Sequence, residues 1–543
     1  MDLKRIKLNI SSLHPAIYLL LFVFIFNVTF IELNWGYDEF GPIISHLELD
    51  NEVYINEYRE YLAAIGIKNQ ALSDFILYIL FPIFVVPIRW TYALGISPLL
   101  GLPWVDNVDW PTLGSILLIP NILLSIIGVY LVSLSLSLKN NSYSVINIFC
   151  ILILLSHPFM KWTLTLSAYS SHLFCFGLLL YSEVKLKHKN KKLFGSASIA
   201  RSVVQIFNYQ YIVVVVFVGL IELIKSPISF FKNRKYISWL LPASISISSV
   251  IFLFFRSYIS GKHSNPAYGN LSSSEAYRYD FIQNYDNFLS SLEFIANRCL
   301  DFIYYFWFES KSYYGSGSYF ELSLITWISL LIIGAVLIRI CWSKIDKNLV
   351  FLTLAILFSL FIPYLVGVQP MTPTRHSLVL LLPIALLIAL VISSILSGLI
   401  SKRSIGISSS VILLVVSFLA LGFNQFKQNS LDMEKTQLLL EKYSVQEAVL
   451  APCNLRPLLY NQFRNNYKIV YRCGPKIMQK ISPNVHRVAT LSERKISFSA
   501  AIDLIHDYSD FTWRAIKESN EINNCDNINQ QCKSSFWIFD KID

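Results

Sequence analysis

Two adjacent carboxylates open the first polar stretch of the chain, in Asn34-Trp35-Gly36-Tyr37-Asp38-Glu39-Phe40-Gly41-Pro42, directly beyond an apolar run at 15–31. Neighbouring carboxylates at a lipid boundary repel each other and the headgroups, so the pair needs a reason. One reason is general-base work: Asp38, with Glu39 beside it, takes a proton from a hydroxyl where an apolar tail and an aqueous acceptor meet. The other is a solvated start to an acidic loop, since Glu48, Asp50, Glu52, Glu57 and Glu60 follow. Cations supply the second element. Arg375-His376 closes the short polar stretch 369–376, just before the apolar run 377–399. A guanidinium there can hold a phosphate bidentately and neutralise it as a leaving group, or it can snorkel to a lipid headgroup. Arg201 lies inside the apolar segment 193–207. An unpaired charge there costs ~2.5 kcal/mol or more, so Arg201 must face a cavity or a polar partner such as Gln205 or Asn208. His157 and Lys161 flank a short turn and could meet phosphate, although a surface role suffices for them; His172 reads as a hydrogen-bonded core residue. Tyr37, Trp90, Trp104 and Trp110 could stack on a sugar or belong to an interfacial belt. The sequence holds no P-loop, no Gly-rich dinucleotide fingerprint, no Gly-x-Ser-x-Gly elbow and no His-Glu-x-x-His, so ATP-driven transport and metalloprotease chemistry find no support.

The elements that must position these residues are set by composition. Of 543 residues, 54% are hydrophobic and only 15% charged, against the ~25% charged of a soluble domain. A water-soluble enzyme, a disordered tail and a collagen-like fibre are excluded. The runs 15–31, 349–367 and 377–399 each approach the ~20 residues that cross ~30 Å of hydrocarbon, which makes the chain a polytopic membrane protein built of helices. The net charge of +10 sits in short clusters between apolar runs and forms no single basic face, which argues against nucleic acid.

Lys and Arg in short loops fix the orientation. Lys4, Arg5 and Lys7 place the N-terminus in the cytoplasm, with an uncleaved first span. The clusters at 185–192, 225–235, 344–347 and 402–403 mark further cytoplasmic loops. Threading between them gives spans at 113–137, 144–160, 162–182, 236–256, 321–341, 349–367, 377–399 and 405–423. Residues 72–90, interrupted by Pro82 and Pro87 and closed by Arg89, suit a helix in the outer leaflet. The segment 193–224 is cytoplasmic at both ends, and reads as two short helices meeting near Phe207-Asn208-Tyr209. About eleven spans result, with the C-terminus outside. Two outer loops, 32–112 and 257–320, follow from this threading. The second carries Phe281, Tyr285, Phe288, Leu292, Ile295, Cys299, Phe302 and Phe306 at helical spacing, an amphipathic helix expected to lie flat on the membrane.

The polar residues 425–543 form a separate outer domain of α/β type, with strands expected at 446–450, 468–472 and 536–539 and helices at 430–442 and 499–508. Cys453, Cys473, Cys525 and Cys532 all fall there, and two disulfides, Cys453–Cys473 and Cys525–Cys532, are the simplest pairing in an extracytoplasmic domain. The spacing does not fit a zinc site.

An acidic pair just after the first span (Tyr37-Asp38-Glu39-Phe40), a lipid-surface helix in the first outer loop, a broken-helix pair carrying Arg201, and Arg375-His376 before the Pro383-containing span together resemble the GT-C superfamily of integral membrane glycosyltransferases. Among these the chain is most similar to serotype-converting O-antigen glucosyltransferases of bacteria and their phages. The resemblance implies a transmembrane catalytic domain over 1–424. It further implies transfer of a sugar from a polyprenyl-phosphate donor to a lipid-linked or surface glycan at the outer face of the cytoplasmic membrane, with no nucleotide or other cofactor. Asp38 would be the base with Glu39 as neighbour, and Arg375, His376 and Arg201 would serve the donor phosphate; His376 stands where the family more often has Tyr. The rival readings are an O-antigen polymerase, which alters chain length, and a lipid-linked oligosaccharide flippase, which moves its cargo without covalent change.

Overall fold

The computed structural model describes residues 14–30, 63, 69–75, 110–137, 143–163, 171–188, 194–208, 210–225, 227–232, 236–247, 288–308, 346–366, 371, 373, 377–399, 401–422, 433–451, 468–471, 481–492, 498–506, 509, 511–519 and 535–542. The chain is largely helical, with a small mixed β-sheet near its C-terminus. It divides into two compact units, the second of which includes Phe426–Asp543.

The helical unit contains α1 (Pro15–Phe30), α2 (Gln70–Phe75), α3 (Trp110–Ser137), α4 (Tyr143–Leu154), α5 (His157–Thr163), α6 (Ser171–His188), α7 (Phe194–Phe207), α8 (Tyr211–Lys225), α9 (Pro227–Lys232), α10 (Ile237–Ile247), α11 (Phe288–Trp307), α12 (Lys347–Leu365), α13 (Leu378–Leu399) and α14 (Lys402–Gly422). Among the described residues, α12 and α13 contain stretches long and apolar enough to cross a membrane. The burial pattern has the sign expected of a lipid solvent. Ser144, Ser359, Ser409 and Ser417 are buried, whereas Phe351, Phe358, Val411, Val415 and Phe418 face outward. Lipid offers apolar side chains no reason to hide, so helices associate through small residues and interhelical hydrogen bonds. Ser144 of α4 meets Ser393 of α13 at 2.8 Å, and Asn147 Nδ2 donates to Ser409 and Ser410 of α14. At the crossing of α3 and α6, Gly128 and Gly177 bring the two backbones into direct contact.

Local signals explain the boundaries. Ser156 caps α5, its carbonyl accepting from Met160 N, and Pro158 sits in the first turn, so α4 cannot run on as one rod. The inward span expected at 162–182 is described as a helix only from Ser171, and it reaches His188. Asp346 caps α12 by accepting from the Asn348 and Leu349 amides. The segment 193–224 breaks where the sequence indicated. Asn208 ends α7, its side-chain oxygen accepts from Gln210 N, and its carbonyl accepts from Tyr211 N at the start of α8.

The second unit contains α15 (Met433–Lys442), β1 (Glu447–Ala451), β2 (Lys468–Tyr471), β3 (Arg487–Ser492), α16 (Phe498–His506), β4 (Thr512–Ser519) and β5 (Ser535–Ile542). The sheet order is β2-β1-β3-β5-β4, with β1 parallel to both β2 and β3, and β5 antiparallel to β3 and β4. Val449, Val488, Trp513, Phe539, Ala501 and Ile505 fill the core between sheet and α16. Strands β3 and β4 are additions to the expected set. The four cysteines expected to pair lie outside the described residues.

Candidate functional site

Of the five residues singled out from sequence, Asp38, Glu39, Arg375 and His376 lie outside the described residues, as does most of the first outer loop. Their described neighbours are the end of α1 at Phe30 on one side, and buried Met371 and Ser377 on the other. Arg201 is described in full.

Arg201 projects from α7 into a seam between four helices, 1% exposed. Its Nε donates to Glu183 Oε1 of α6 at 2.8 Å, its Nη1 donates to Ser238 Oγ at 3.3 Å, and its Nη2 lies 3.7 Å from Glu222 Oε2 of α8. The guanidinium carbon sits 3.5 Å from the centre of the Trp239 ring, and the indole N–H donates to Glu222 at 3.0 Å. Gly219 leaves room for that ring; a Cβ there would stand 3.0 Å from it. Gln205 belongs to the same seam without meeting the guanidinium: its amide nitrogen donates to the Arg201 and Pro242 carbonyls, and its oxygen accepts from Ser246. The charge is thus matched by two carboxylates and a π face, as burial of a cation requires.

At the break between α7 and α8 a second polar group collects. Asn208 Nδ2 meets His172 Nδ1 of α6, Tyr211 Oη donates to the His172 carbonyl, and Ser171 Oγ donates to the Phe207 carbonyl. A buried break between two helices is tolerated where such groups satisfy the freed backbone, and this is the role the contacts give His172.

The third group was not picked out from sequence. On α11 the buried face runs through Phe294, Arg298, Asp301, Phe302, Tyr305 and Phe306; it shares Phe302 and Phe306 with the expected stripe and otherwise lies beside it. Arg298 and Asp301 are 1% and 0% exposed, with Nη1 3.3 Å from Oδ2. Phe302 packs against Phe361 and Tyr364 near the end of α12, and the Trp307 indole donates to the Leu152 carbonyl at the end of α4. The helix is therefore seated on other helices along this face. Burial pushes the neighbouring Cys299 thiol up to about 12, Asp301 adding to the rise, so it stays protonated and unreactive. The available signal was an Arg-x-x-Asp pair inside an otherwise apolar helix, the spacing that places both on one face.

Among the described residues no three His, Cys, Asp or Glu side chains group as metal ligands. Compared with known proteins, the sequence matches no family model and no curated protein.

Proposed function

We propose that this chain transfers a sugar from a polyprenyl-phosphate donor to a glycan acceptor on the outer face of the cytoplasmic membrane. The observation that carries the reading is the carboxylate pair Asp38-Glu39 just past the first apolar run in sequence, in a chain whose 193–224 segment breaks at Asn208, one of the features on which the GT-C resemblance rests. Asp38 takes the proton of an acceptor hydroxyl, and that oxygen bonds to the anomeric carbon of the donor. The carbon–oxygen bond to phosphate breaks, and the polyprenyl phosphate departs carrying the electron pair as an added negative charge. Arg375 holds that charge as it develops, with His376 beside it. The sugar–phosphate bond supplies the driving force.

In this reading Arg201 is a fastener. Glu183 and Glu222 stand near the ends of α6 and α8 that lead into the lysine-rich stretches 185–192 and 225–235. The positive-inside rule assigns those ends to the cytoplasmic side, opposite to Arg375. A cation already matched by two carboxylates has little charge left for phosphate.

The test is Asp38→Asn, with mass analysis of the surface polysaccharide in cells with and without the gene. The variant should reach the membrane at the normal level while the added hexose branch disappears. Full decoration by the variant would remove the base assignment, and a change of chain length without a branch would identify a polymerase instead.

A further inference from the structure

We propose that the sheet unit binds an acidic saccharide in the groove at the head of β3. The groove is a shallow, open depression of about 370 Å³ lined by Ser444, Gln446, His486, Arg487, Asp540 and Lys541. That volume is at the low end of the ~300–1,000 Å³ of small-molecule clefts, but such clefts are mostly apolar. Every residue in this wall is polar or charged, with the carbons of side-chain stems between the polar groups, so the contacts that orient a ligand here are polar.

The sign of the charge follows from how the groove's own groups are spent. Arg487 and Asp540 face each other across the β3–β5 register. Arg487 Nε and Nη2 donate to the two Asp540 oxygens at 2.7 and 3.2 Å, and Nη1 donates to the Tyr443 carbonyl at 2.8 Å. Those bonds to Asp540 hold the guanidinium above its ordinary value, so it is charged at every working pH. Asp540 is the sole carboxylate in the lining, and both its oxygens accept from Arg487. Lys541 brings a further positive charge, fixed over the Phe511 ring at 3.7 Å and donating to the Pro483 carbonyl at 2.8 Å. The surplus is positive, which selects an anion.

Hydroxyl recognition comes from the other two walls. The Gln446 side-chain oxygen accepts from the His486 and Arg487 amides, which leaves its amide nitrogen as the end that donates outward. Ser444 is a left-handed residue, φ 52°, at the C-terminal turn of α15. Its hydroxyl sits where glycine would be the less strained choice. The two cations are already ordered by contacts within the protein, so binding an anion beside them loses little side-chain entropy.

The inference rests on the proposed transfer to an outer glycan and on the reading of 425–543 as an outer domain, and its readout is binding, not transfer. Full-length protein in nanodiscs is titrated with trigalacturonate, glucose 1-phosphate and maltotriose. At least one of the two anionic probes should bind tenfold or more tightly than neutral maltotriose, and the arm that binds tells carboxylate from phosphate. Lys541→Gln combined with His486→Gln should weaken that binding at least fivefold, while Lys541→Arg keeps it. His486 is exposed and Lys541 half-buried, and an unchanged thermal transition verifies the fold of the variants. Equal binding of maltotriose, no binding of either anion, or affinity unmoved in the double variant would overturn the proposal. A chain that binds the anion yet transfers no sugar defeats only the proposed reaction; one that transfers but does not bind defeats only the groove.

Discussion

Replacing Arg201 by Met is the sharpest test of what that residue does. The substitution keeps length and apolar bulk but deletes the donors to Glu183 and Ser238, the pairing with Glu222 and the stack on Trp239. Removing one partner of a buried ion pair costs about 3–5 kcal/mol, because the carboxylate left behind is stranded. Glu183 is that carboxylate. Glu222 is 32% exposed and recovers water, so its share is below about 1 kcal/mol. The stack on a desolvated indole adds about 1–2 kcal/mol. These terms overlap, and a loss of about 4–6 kcal/mol is expected, a large part of a ~5–15 kcal/mol total stability. Arg201→Lys keeps the charge without the planar fork and should recover less than half. Arg201→Met with Glu183→Met removes both charges and should be more stable than Arg201→Met alone. The assay is equilibrium unfolding of purified protein in mixed micelles, with transfer measured per folded molecule. A fastener leaves KM for the lipid donor unchanged in whatever fraction still folds. Arg201→Met stability within about 1 kcal/mol of wild type, or a raised KM with stability intact, would refute the structural role and return Arg201 to the phosphate.

Two further perturbations use the same unfolding measurement. A Cβ on Gly177 would overlap the Gly128 carbonyl oxygen, and one on Gly128 would overlap the Leu173 carbonyl, so either change to Ala should cost about 1–3 kcal/mol. Gly195→Ala and Gly406→Ala meet nothing within 4 Å and lie in helices, so they should be neutral or stabilise by up to about 1 kcal/mol; the same sign in all four would show that α3 and α6 do not touch. Ser444→Gly relieves a left-handed Cβ at a turn where Ser444 N donates to the Glu441 carbonyl and Val445 N to the Leu440 carbonyl. It should stabilise the sheet unit by about 0.5–1 kcal/mol while weakening anionic saccharide binding, and a destabilised variant would contradict the strain argument.

How far the sequence carried the fold depended on whether a signal was local. The interruption at Asn208 was legible because lysines flank both ends of a segment too short to cross twice as regular full-length spans. Strands β1, β2 and β5 were legible as apolar runs bounded by polar turns. Strand β3 was not, because Val488, Ala489 and Thr490 are all buried and the run shows no alternation. Strand β4 was missed for the opposite reason: it is an edge strand with Arg514, Lys517 and Glu518, bulged between Ala515 and Lys517. The buried face of α11 overlaps the expected aromatic stripe at Phe302 and Phe306, and the charged pair Arg298 and Asp301 lies beside it. The partners of Arg201 were sought among its own neighbours, Gln205 and Asn208. They came instead from Glu183 and Glu222, since adjacent turns of one helix lie side by side while a charge pointing inward is met by the helices packed opposite.

The two units distribute apolar residues differently. In the sheet, Val449 and Val488 are inside while Thr512 and Arg514 are exposed, the usual outcome in water. In α14 apolar residues stand on both sides, Leu413, Val416 and Ala420 inside and Ile407, Val411, Val415 and Phe418 outside. When the solvent is hydrocarbon, a charge cannot retreat outward, and it must find its complement within the protein. Arg201 meets Glu183 and Glu222, and Arg298 meets Asp301, although nothing in composition paired them in advance. In such a chain each charged residue within an apolar helix therefore argues for an opposite charge nearby, on the same helix face or across a helix interface. By the same argument, a carboxylate pair such as Asp38-Glu39, directly after an apolar run in the sequence, is accounted for only when the cation or the proton donor it serves has been found.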